Sequence, residues 1–177
     1  VTDLENLLSN NGYDQNATIG FGHTRWATHG EPNNRNAHPI FDEGNEIVVI
    51  HNGIIENYNV LKTRLEREGY QFITDTDTEC LVHLIRSHYK NVMDFEKAVQ
   101  LTLAEVDGTY GMCVLSKVDP DKIIAARKGS PLVLGVGDGE FIIASDATAI
   151  IPYTRQVLYL MDGEMVIVTK DKFEIKT

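Results

Sequence analysis

A chain of 177 residues with 42% hydrophobic and 24% charged residues has the length and composition of one soluble globular domain with a substantial core. Its formal net charge of −10 argues against nucleic-acid binding, and no apolar run approaches the roughly 18 residues that a membrane-spanning helix needs. The two cysteines, Cys80 and Cys113, fall in apolar runs. We therefore expect small buried side chains, no disulfide framework and a cytoplasmic protein.

The first part of the chain carries helical and strand patterns in alternation. In chain order, the predicted elements are the end of a helix over 2–9, a strand over 18–26, a strand over 46–51, a helix over 58–68, a helix from the 76–79 motif to about 89, and a helix over 94–107. The strand over 46–51 is predicted to end at the turn dipeptide Asn52-Gly53.

Two of these helices carry local signals at their ends. In the 58–68 helix, Val60, Leu61 and Leu65 are expected to face inward, and Gly69 is the expected C-cap. The motif Thr76-Asp77-Thr78-Glu79 fits an N-terminal capping box, in which a threonine and a glutamate cap each other's backbone.

The last 70 residues change to short strands separated by Gly, Asp, Pro and Ser. The predicted strands cover 110–117, 122–127, 132–136, 141–144, 156–160, 164–169 and 173–176. Strands before and after a central pair of helices suit an α+β fold with two packed antiparallel sheets covered by helices.

Four polar motifs stand out from this framework. They are Gly-His-Thr-Arg-Trp-Ala-Thr-His-Gly-Glu-Pro over 22–32, Ala-His-Pro over 37–39, His-Asn-Gly-Ile-Ile-Glu-Asn over 51–57, and Asp-Thr-Asp-Thr-Glu over 75–79. Together and in this order, they resemble the glutaminase domain of the glucosamine-6-phosphate synthases (glutamine:fructose-6-phosphate aminotransferases, isomerizing), which are class II glutamine amidotransferases.

The resemblance implies a fold and a reaction. The fold is a four-layer αββα sandwich of the N-terminal-nucleophile hydrolase type, with residues 1–177 forming a single amidotransferase domain that lacks its N-terminal segment. The reaction is hydrolysis of the glutamine side-chain amide, which supplies ammonia for amination of fructose 6-phosphate. The family's nucleophile is an N-terminal cysteine, whereas this chain begins with Val1. We therefore expect the chain to be inactive alone.

Arg25 and Asp77 are candidate contacts for the two charged ends of an amino acid. A guanidinium can bind a carboxylate through two parallel hydrogen bonds, although a surface ion pair is the alternative for Arg25. A carboxylate at a helix start can hold an ammonium group, although the capping box explains the motif around Asp77 without it. The resemblance assigns Arg25 and Thr28, with His29 as a neighbour, to the α-carboxylate of glutamine, and Asp77 to its α-ammonium.

Asn52 and Gly53 are the candidate oxyanion hole. Attack on an amide places negative charge on its oxygen, and an asparagine NH2 and a glycine backbone N–H can stabilise that charge. The alternative is an ordinary Asn-Gly hairpin turn. The resemblance favours the oxyanion hole, because the whole run over 51–57 matches the family.

The residues themselves indicate no hydrogen-bonding or catalytic role for Trp26, so a core or interface position is the default. The resemblance implies that it gates an ammonia channel toward a sugar-phosphate isomerase domain of the same polypeptide. L-glutamine is the expected ligand, and the full-length form is expected to be a homodimer. Other class II amidotransferases, or a non-catalytic module that binds an amino acid, are the alternatives.

Four histidines fall early in the chain and raise the question of a metal: His23, His29, His38 and His51. Their spacing fits no familiar zinc pattern, so structural histidines are favoured. We expect no metal and no cofactor.

Overall fold

The computed structural model describes residues 17–26 and 30–177, together with Asn6 and Ser9, which are helical. Within residues 17–26 and 30–177, nine β-strands and three α-helices form. The strands are β1 Ile40–Phe41, β2 Ile47–Ile55, β3 Gly108–Ser116, β4 Lys122–Lys128, β5 Val133–Val136, β6 Phe141–Ala144, β7 Val157–Tyr159, β8 Met165–Thr169 and β9 Phe173–Lys176. The helices are α1 Tyr58–Arg67, α2 Thr78–Val92 and α3 Phe95–Glu105, and short 3-10 turns cover Asn34–Asn36 and Ala147–Ala149.

The strands within the described residues form two antiparallel sheets. The larger sheet has the order β1-β2-β3-β4-β8-β9, and the smaller has the order β6-β5-β7. The longest pairing joins β2 to β3, from Ile47 opposite Ser116 to Ile55 opposite Gly108. This nine-residue ladder holds β2 firmly along its whole length.

Each face of the larger sheet has its own apolar core. One face packs against the helices, and every residue of the first eight in α2, from Thr78 to Ile85, is buried. The other face packs against the smaller sheet through Leu134, Leu160 and Val166, among others. The described layers are therefore helix, sheet and sheet.

The predicted α+β sandwich is confirmed, and so are the seven predicted strands of the last 70 residues, with small shifts at their ends. The prediction of a further helical layer over β6-β5-β7 lies outside the described residues. The C-cap residue of α1 is Glu68 and not the predicted Gly69, which directly follows it in the left-handed conformation (φ 96°). None of the helices in the described part of the chain is long and apolar enough to cross a bilayer.

Three further local predictions are wrong. Residues 17–26 form no strand, although Phe21 packs against the core between the sheets. Strand β2 does not end at Asn52-Gly53 but continues to Ile55, because these residues keep their ladder partners on β3. Val60 is 72% exposed, because α1 turns only the face with Leu61 and Leu65 toward the core.

Candidate active site

A cavity of about 330 Å³ opens where β2, the start of α2 and the 22–26 loop meet. Its lining combines imidazole, guanidinium, carboxylate, hydroxyl and amide groups within a small volume. The lining residues are His23, Thr24, Arg25, Trp26, His38, His51, Asn52, Gly53, Thr76, Asp77, Thr78 and Ser145. The structure therefore brings five of the predicted site residues, Arg25, Trp26, Asn52, Gly53 and Asp77, to one place.

Strand β2 supplies Asn52 and Gly53. The Asn52 Oδ1 atom lies 2.8 Å from Nε2 of His23. Gly53 adopts φ 130°, and a Cβ built on it would lie 2.1 Å from the carbonyl oxygen of Thr109 on β3. A side chain at this position would collide with backbone, so glycine is required by the strand pairing itself.

Asp77 lies at the N-cap position of α2 and is only 4% exposed. Its Oδ2 atom accepts a hydrogen bond of 2.8 Å from the backbone N–H of Ile55, which ties the helix start to the end of β2. The side chain therefore holds a negative charge at the wall of the cavity, with its position set by the larger sheet.

The predicted capping box is wrong. Asp77, and not Thr76, is the N-cap residue, and its side chain makes no capping hydrogen bond. The carboxylate of Glu79 instead accepts from the backbone N–H groups of Ile73 and Thr74, at 2.8 and 2.7 Å. Burial alone would raise the pKa of Glu79, but hydrogen bonds from His83, Thr74 and Ile73 lower it overall. Glu79 thus organises the loop before the helix and leaves Asp77 available to the cavity.

Arg25 extends from the irregular 22–26 loop. Its guanidinium donates to the carbonyl oxygens of Glu31 and Gly30, at 3.2 and 3.4 Å. It lines the same cavity as Asp77 and so places a positive charge there. Thr28, the other predicted carboxylate contact, and its predicted neighbour His29 lie outside the described residues.

Trp26 is 93% exposed, so of the expected core or interface positions the core position is wrong, and the interface position stays a prediction. The preceding residue, Arg25, faces the cavity, and Trp26 lies at its mouth. An apolar ring this exposed beside a polar cavity has the character of a contact surface.

A hydrogen-bonded network of histidines and a threonine forms one wall. The hydroxyl of Thr78 lies 2.9 Å from Nε2 of His38 and 3.1 Å from Nδ1 of His51, and Nε2 of His51 lies 3.3 Å from the carbonyl oxygen of Thr109. Burial, reinforced by His23, His51 and Arg25, lowers the pKa of His38 to about 3. Burial also lowers the pKa of His51. Both rings are therefore neutral near pH 7.

Neither thiol is placed for nucleophilic attack. Cys80 and Cys113 are 0% and 6% exposed, which confirms the expectation of small buried side chains. Burial raises the pKa of Cys80 and raises that of Cys113 to about 12. A thiol with a raised pKa holds little thiolate at neutral pH, and the thiolate is the nucleophile.

In the described part of the chain, no three side chains of the kinds that bind metals come together. The imidazoles of His23, His38 and His51 are instead occupied by Asn52, Thr78 and Thr109. The expectation of a metal-free, cofactor-free site stays a prediction.

The part that Thr78 plays is not predicted from the sequence. There Thr78 is only a member of the capping motif, and the histidines are candidates only for metal ligands or structural groups. The signal that was available is the density of histidines in the same motifs as Arg25 and Asn52. No spacing in the sequence shows that one hydroxyl would join two of them.

Solved structures share this architecture. The glutamine phosphoribosylpyrophosphate amidotransferase from B. subtilis, solved in complex with ADP and GMP, superposes with a TM-score of 0.74 at 26% identity, over 87% of this chain and 33% of that one. The fold and site therefore define a class II amidotransferase of the N-terminal-nucleophile hydrolase type. Residues 23–152 match the family described as "Glutamine amidotransferase domain". The chain belongs to the glutamine amidotransferase domain family.

Curated relatives carry a more specific name. The glutamine–fructose-6-phosphate aminotransferase [isomerizing] of Chlorobaculum tepidum is 55% identical over 180 aligned positions, covering 100% of this chain and 29% of that protein. The protein of the same name from Pyrococcus horikoshii is 50% identical over 158 positions, covering 89% of this chain and 26% of that protein. The chain thus spans less than a third of the length of these relatives.

Proposed function

We propose that this chain is the glutaminase part of a glutamine–fructose-6-phosphate aminotransferase, which hydrolyses the side-chain amide of L-glutamine and passes the ammonia on. The observation that carries the proposal is the cavity in which Arg25, Asp77 and the Asn52-Gly53 pair meet. A free amino acid has one anionic end, one cationic end and a side chain. The cavity has a group for each of them.

The charged ends of glutamine select its orientation. Arg25 and Thr28, with His29 as a neighbour, bind the α-carboxylate, since a guanidinium donates two parallel hydrogen bonds to a carboxylate. Asp77 binds the α-ammonium through the carboxylate oxygen that is not occupied by the Ile55 N–H. Opposite charges fixed on two sides of one cavity exclude ligands that lack either end.

The oxyanion is stabilised by Asn52 and Gly53. When a nucleophile attacks the amide carbon, the carbonyl oxygen gains negative charge, and preorganised N–H donors lower the energy of that state. Both residues lie on β2, which the ladder to β3 holds in place. Donors on a rigid strand need no rearrangement at the moment of reaction.

The nucleophile in this proposal is a cysteine at the mature N-terminus of the full-length protein, and residues 1–177 belong to a single amidotransferase domain. The thiolate attacks, a thioester forms as the C–N bond breaks, and the cysteine's own α-amino group transfers the proton to the departing ammonia. Water then releases glutamate. The raised pKa values of Cys80 and Cys113 support a nucleophile outside this chain.

The remaining length of the relatives supports a second catalytic part. We infer that a sugar-phosphate isomerase domain of the same polypeptide receives the ammonia and aminates fructose 6-phosphate, in a cytoplasmic homodimer. The exposed Trp26 at the mouth of the cavity is suited to gate the channel between the two parts.

Asp77→Asn in the full-length protein tests the glutamine site, with Asp75→Asn as a matched control. Asp75 is an exposed carboxylate two residues away that pairs with Arg35 at 2.7 Å and does not line the cavity. We expect Asp77→Asn to raise KM for glutamine by about 10- to 100-fold, which corresponds to one charge-assisted hydrogen bond of ~1.5–3 kcal/mol. Glutamate release, measured over a range of glutamine concentrations, gives KM and kcat.

The same variants separate binding from folding. Asp77→Asn should also lose its preference for glutamine over an analogue without the α-amine, whereas Asp75→Asn should keep both KM and preference. If Asp77→Asn lowers only the melting temperature, Asp77 serves the helix start alone. If the full-length protein binds glutamine without releasing glutamate, the chain is part of a binding module and not of an enzyme.

A further inference from the structure

We propose that His23 is a positioning residue that holds the carboxamide of Asn52 with its NH2 group turned toward the cavity. The proposal rests on the proposed function, in which that NH2 group stabilises the oxyanion. Its physical basis is the 2.8 Å contact between His23 Nε2 and Asn52 Oδ1. An asparagine side chain can present either its oxygen or its nitrogen, so something has to select one of them.

The burial of the other ring nitrogen of His23 selects the donor. Among the described residues, Nδ1 of His23 is buried and has no hydrogen-bond partner. A proton on Nδ1 alone would leave a buried N–H without an acceptor, which is rarer and more costly than a bare acceptor. The proton therefore belongs on Nε2, and a doubly protonated ring would place one there as well. In both states His23 donates and Asn52 Oδ1 accepts.

The orientation of Asn52 follows from this donor. With Oδ1 engaged by His23, the NH2 group points away from the ring, and it has no acceptor among the described residues. Asn52 and His23 both line the cavity. The two N–H bonds of the carboxamide are thus left for an incoming oxygen, which is the arrangement that an oxyanion donor needs.

The hydrogen bonds of the neighbouring histidines also place the donated proton on Nε2. The carbonyl oxygen of Thr109 can only accept, so Nε2 of His51 carries a proton and Nδ1 accepts from the Thr78 hydroxyl. Thr78 Oγ1 then accepts from Nε2 of His38, whose own Nδ1 is buried and without a partner in the described part of the chain. The His38 and His23 ring centroids are 4.4 Å apart. The His38 ring thus packs against the His23 ring at an interplanar angle of 48°.

A matched pair of substitutions tests the proposal in the full-length protein. The amide of His23→Gln reaches the position of Nε2 and can donate to Asn52, whereas the shorter amide of His23→Asn reaches only the position of Nδ1. We expect His23→Asn to lower kcat for glutamate release by about tenfold with KM nearly unchanged, and His23→Gln to stay within about threefold of the wild type. His88→Gln, a substitution beside Glu105 and outside the cavity lining, is the control for loss of a histidine.

A double substitution shows whether His23 acts through Asn52. Asn52→Ala should lower kcat by about 10²–10³, and adding His23→Asn should lower it no further. If the two effects multiply, or if the Gln and Asn variants at position 23 behave alike, His23 has a merely structural role and the proposal is overturned. If Asn52→Ala leaves kcat unchanged, the oxyanion hole itself is misplaced, and the proposed function fails at that step.

The tautomer can also be measured without any substitution. In the wild-type protein with 15N-labelled histidine, long-range 1H–15N correlations distinguish a proton on Nε2 from one on Nδ1. A proton on Nε2 of His23 is the expected result. A neutral ring with its proton on Nδ1 would turn the Asn52 oxygen toward the cavity and overturn the proposal, even if the position 23 variants fail to fold.

Discussion

The two walls of the cavity are built in opposite ways. On one side, His51 of β2 and Asp77 at the start of α2 are each only 4% exposed, and the ladder between β2 and β3 runs past the whole Asn52-Gly53 pair. On the other side, residues 22–26 form neither helix nor strand, and the loop ends in an almost fully exposed Trp26. One wall is continuous with the core, and the other is a surface loop.

This contrast matches the role proposed for each wall. Stabilising a charge that exists only in the transition state depends on donors fixed in advance, and the proposed donors are on the sheet. Binding a carboxylate end depends on a long cation that can adapt, and Arg25 is on the loop. Substituting Gly53 on the sheet should therefore disturb folding and chemistry together, whereas substituting Arg25 on the loop should disturb glutamine binding alone.

The largest effect is expected for Gly53→Ala on the sheet side. The added Cβ would meet the Thr109 carbonyl oxygen at 2.1 Å in a backbone conformation of φ 130°, so β2 and β3 would have to separate. We expect the free energy of unfolding to fall by about 3 kcal/mol or more, with loss of glutamine hydrolysis in the full-length protein. Urea unfolding of the chain measures the first quantity.

Gly69→Ala is the matched control for that substitution. Gly69 also has a positive φ, of 96°, but nothing lies within 4 Å of a Cβ built there. The substitution should introduce only backbone strain, which lowers the free energy of unfolding by about 1 kcal/mol. Activity should be retained. Equal losses of stability for the two variants would show that strain alone, and not the contact with β3, accounts for Gly53.

The contrast also explains which features the sequence predicts. Two packed antiparallel sheets and their helices follow from local periodicity, and every strand of the last 70 residues lies where its apolar run is. The strand over 18–26 is wrong because a strand needs a neighbour as well as a pattern, and residues 17–26 form no ladder within the described part of the chain. The Asn52-Gly53 turn is wrong for the opposite reason, since a partner strand keeps a turn-forming pair extended.

The features of the site also divide into those that the sequence predicts and those that only the fold reveals. Arg25, Asn52, Gly53 and Asp77 stand in motifs whose chemistry is visible in the residues, and the structure gathers them at one cavity. The link from His38 to Thr78 and His51 is not visible, because it joins residues that are 40 and 27 positions apart. Thr78 lies within the Thr76-Asp77-Thr78-Glu79 motif but is not one of its two capping residues, and only the fold shows that its hydroxyl faces the histidines.

An intermediate effect is expected for Arg25→Ala on the loop side. Removing the guanidinium takes away its bonds to the carbonyl oxygens of Gly30 and Glu31, which belong to the same surface region. KM for glutamine in the full-length protein should rise by about 10- to 100-fold, with kcat and melting temperature nearly unchanged. Arg35→Ala, which removes an exposed arginine paired with Asp75, should leave KM unchanged. A large fall in melting temperature for Arg25→Ala would contradict the division between the two walls.

The smallest effect is expected for the pH dependence of folding stability that arises from His38, in the wall around Thr78. Because the pKa of His38 is about 3 in the folded chain and near 6.5 when unfolded, the unfolded chain binds more protons between these values. The contribution of neutral His38 to the free energy of unfolding is therefore full above about pH 6.5. It declines as the pH falls toward 3, by at most about 1.4 kcal/mol per pH unit. Solvent reduces that slope, since His38 is only partly buried.

His38→Gln tests this decline, because a glutamine amide can still donate to the Thr78 hydroxyl but does not titrate. The informative window is pH 6.5 to 4.5, above the range in which carboxylates with lowered pKa values, such as Glu79, begin to be protonated. In urea unfolding of the chain, the wild type should lose stability across this window more steeply than the variant. Between pH 7 and 8 the two should differ by a constant amount. If the free energies of unfolding of the wild type and the variant run parallel throughout the acid window, protonation of His38 does not destabilise the fold. The hydrogen bonds around Thr78 would then not require a neutral His38.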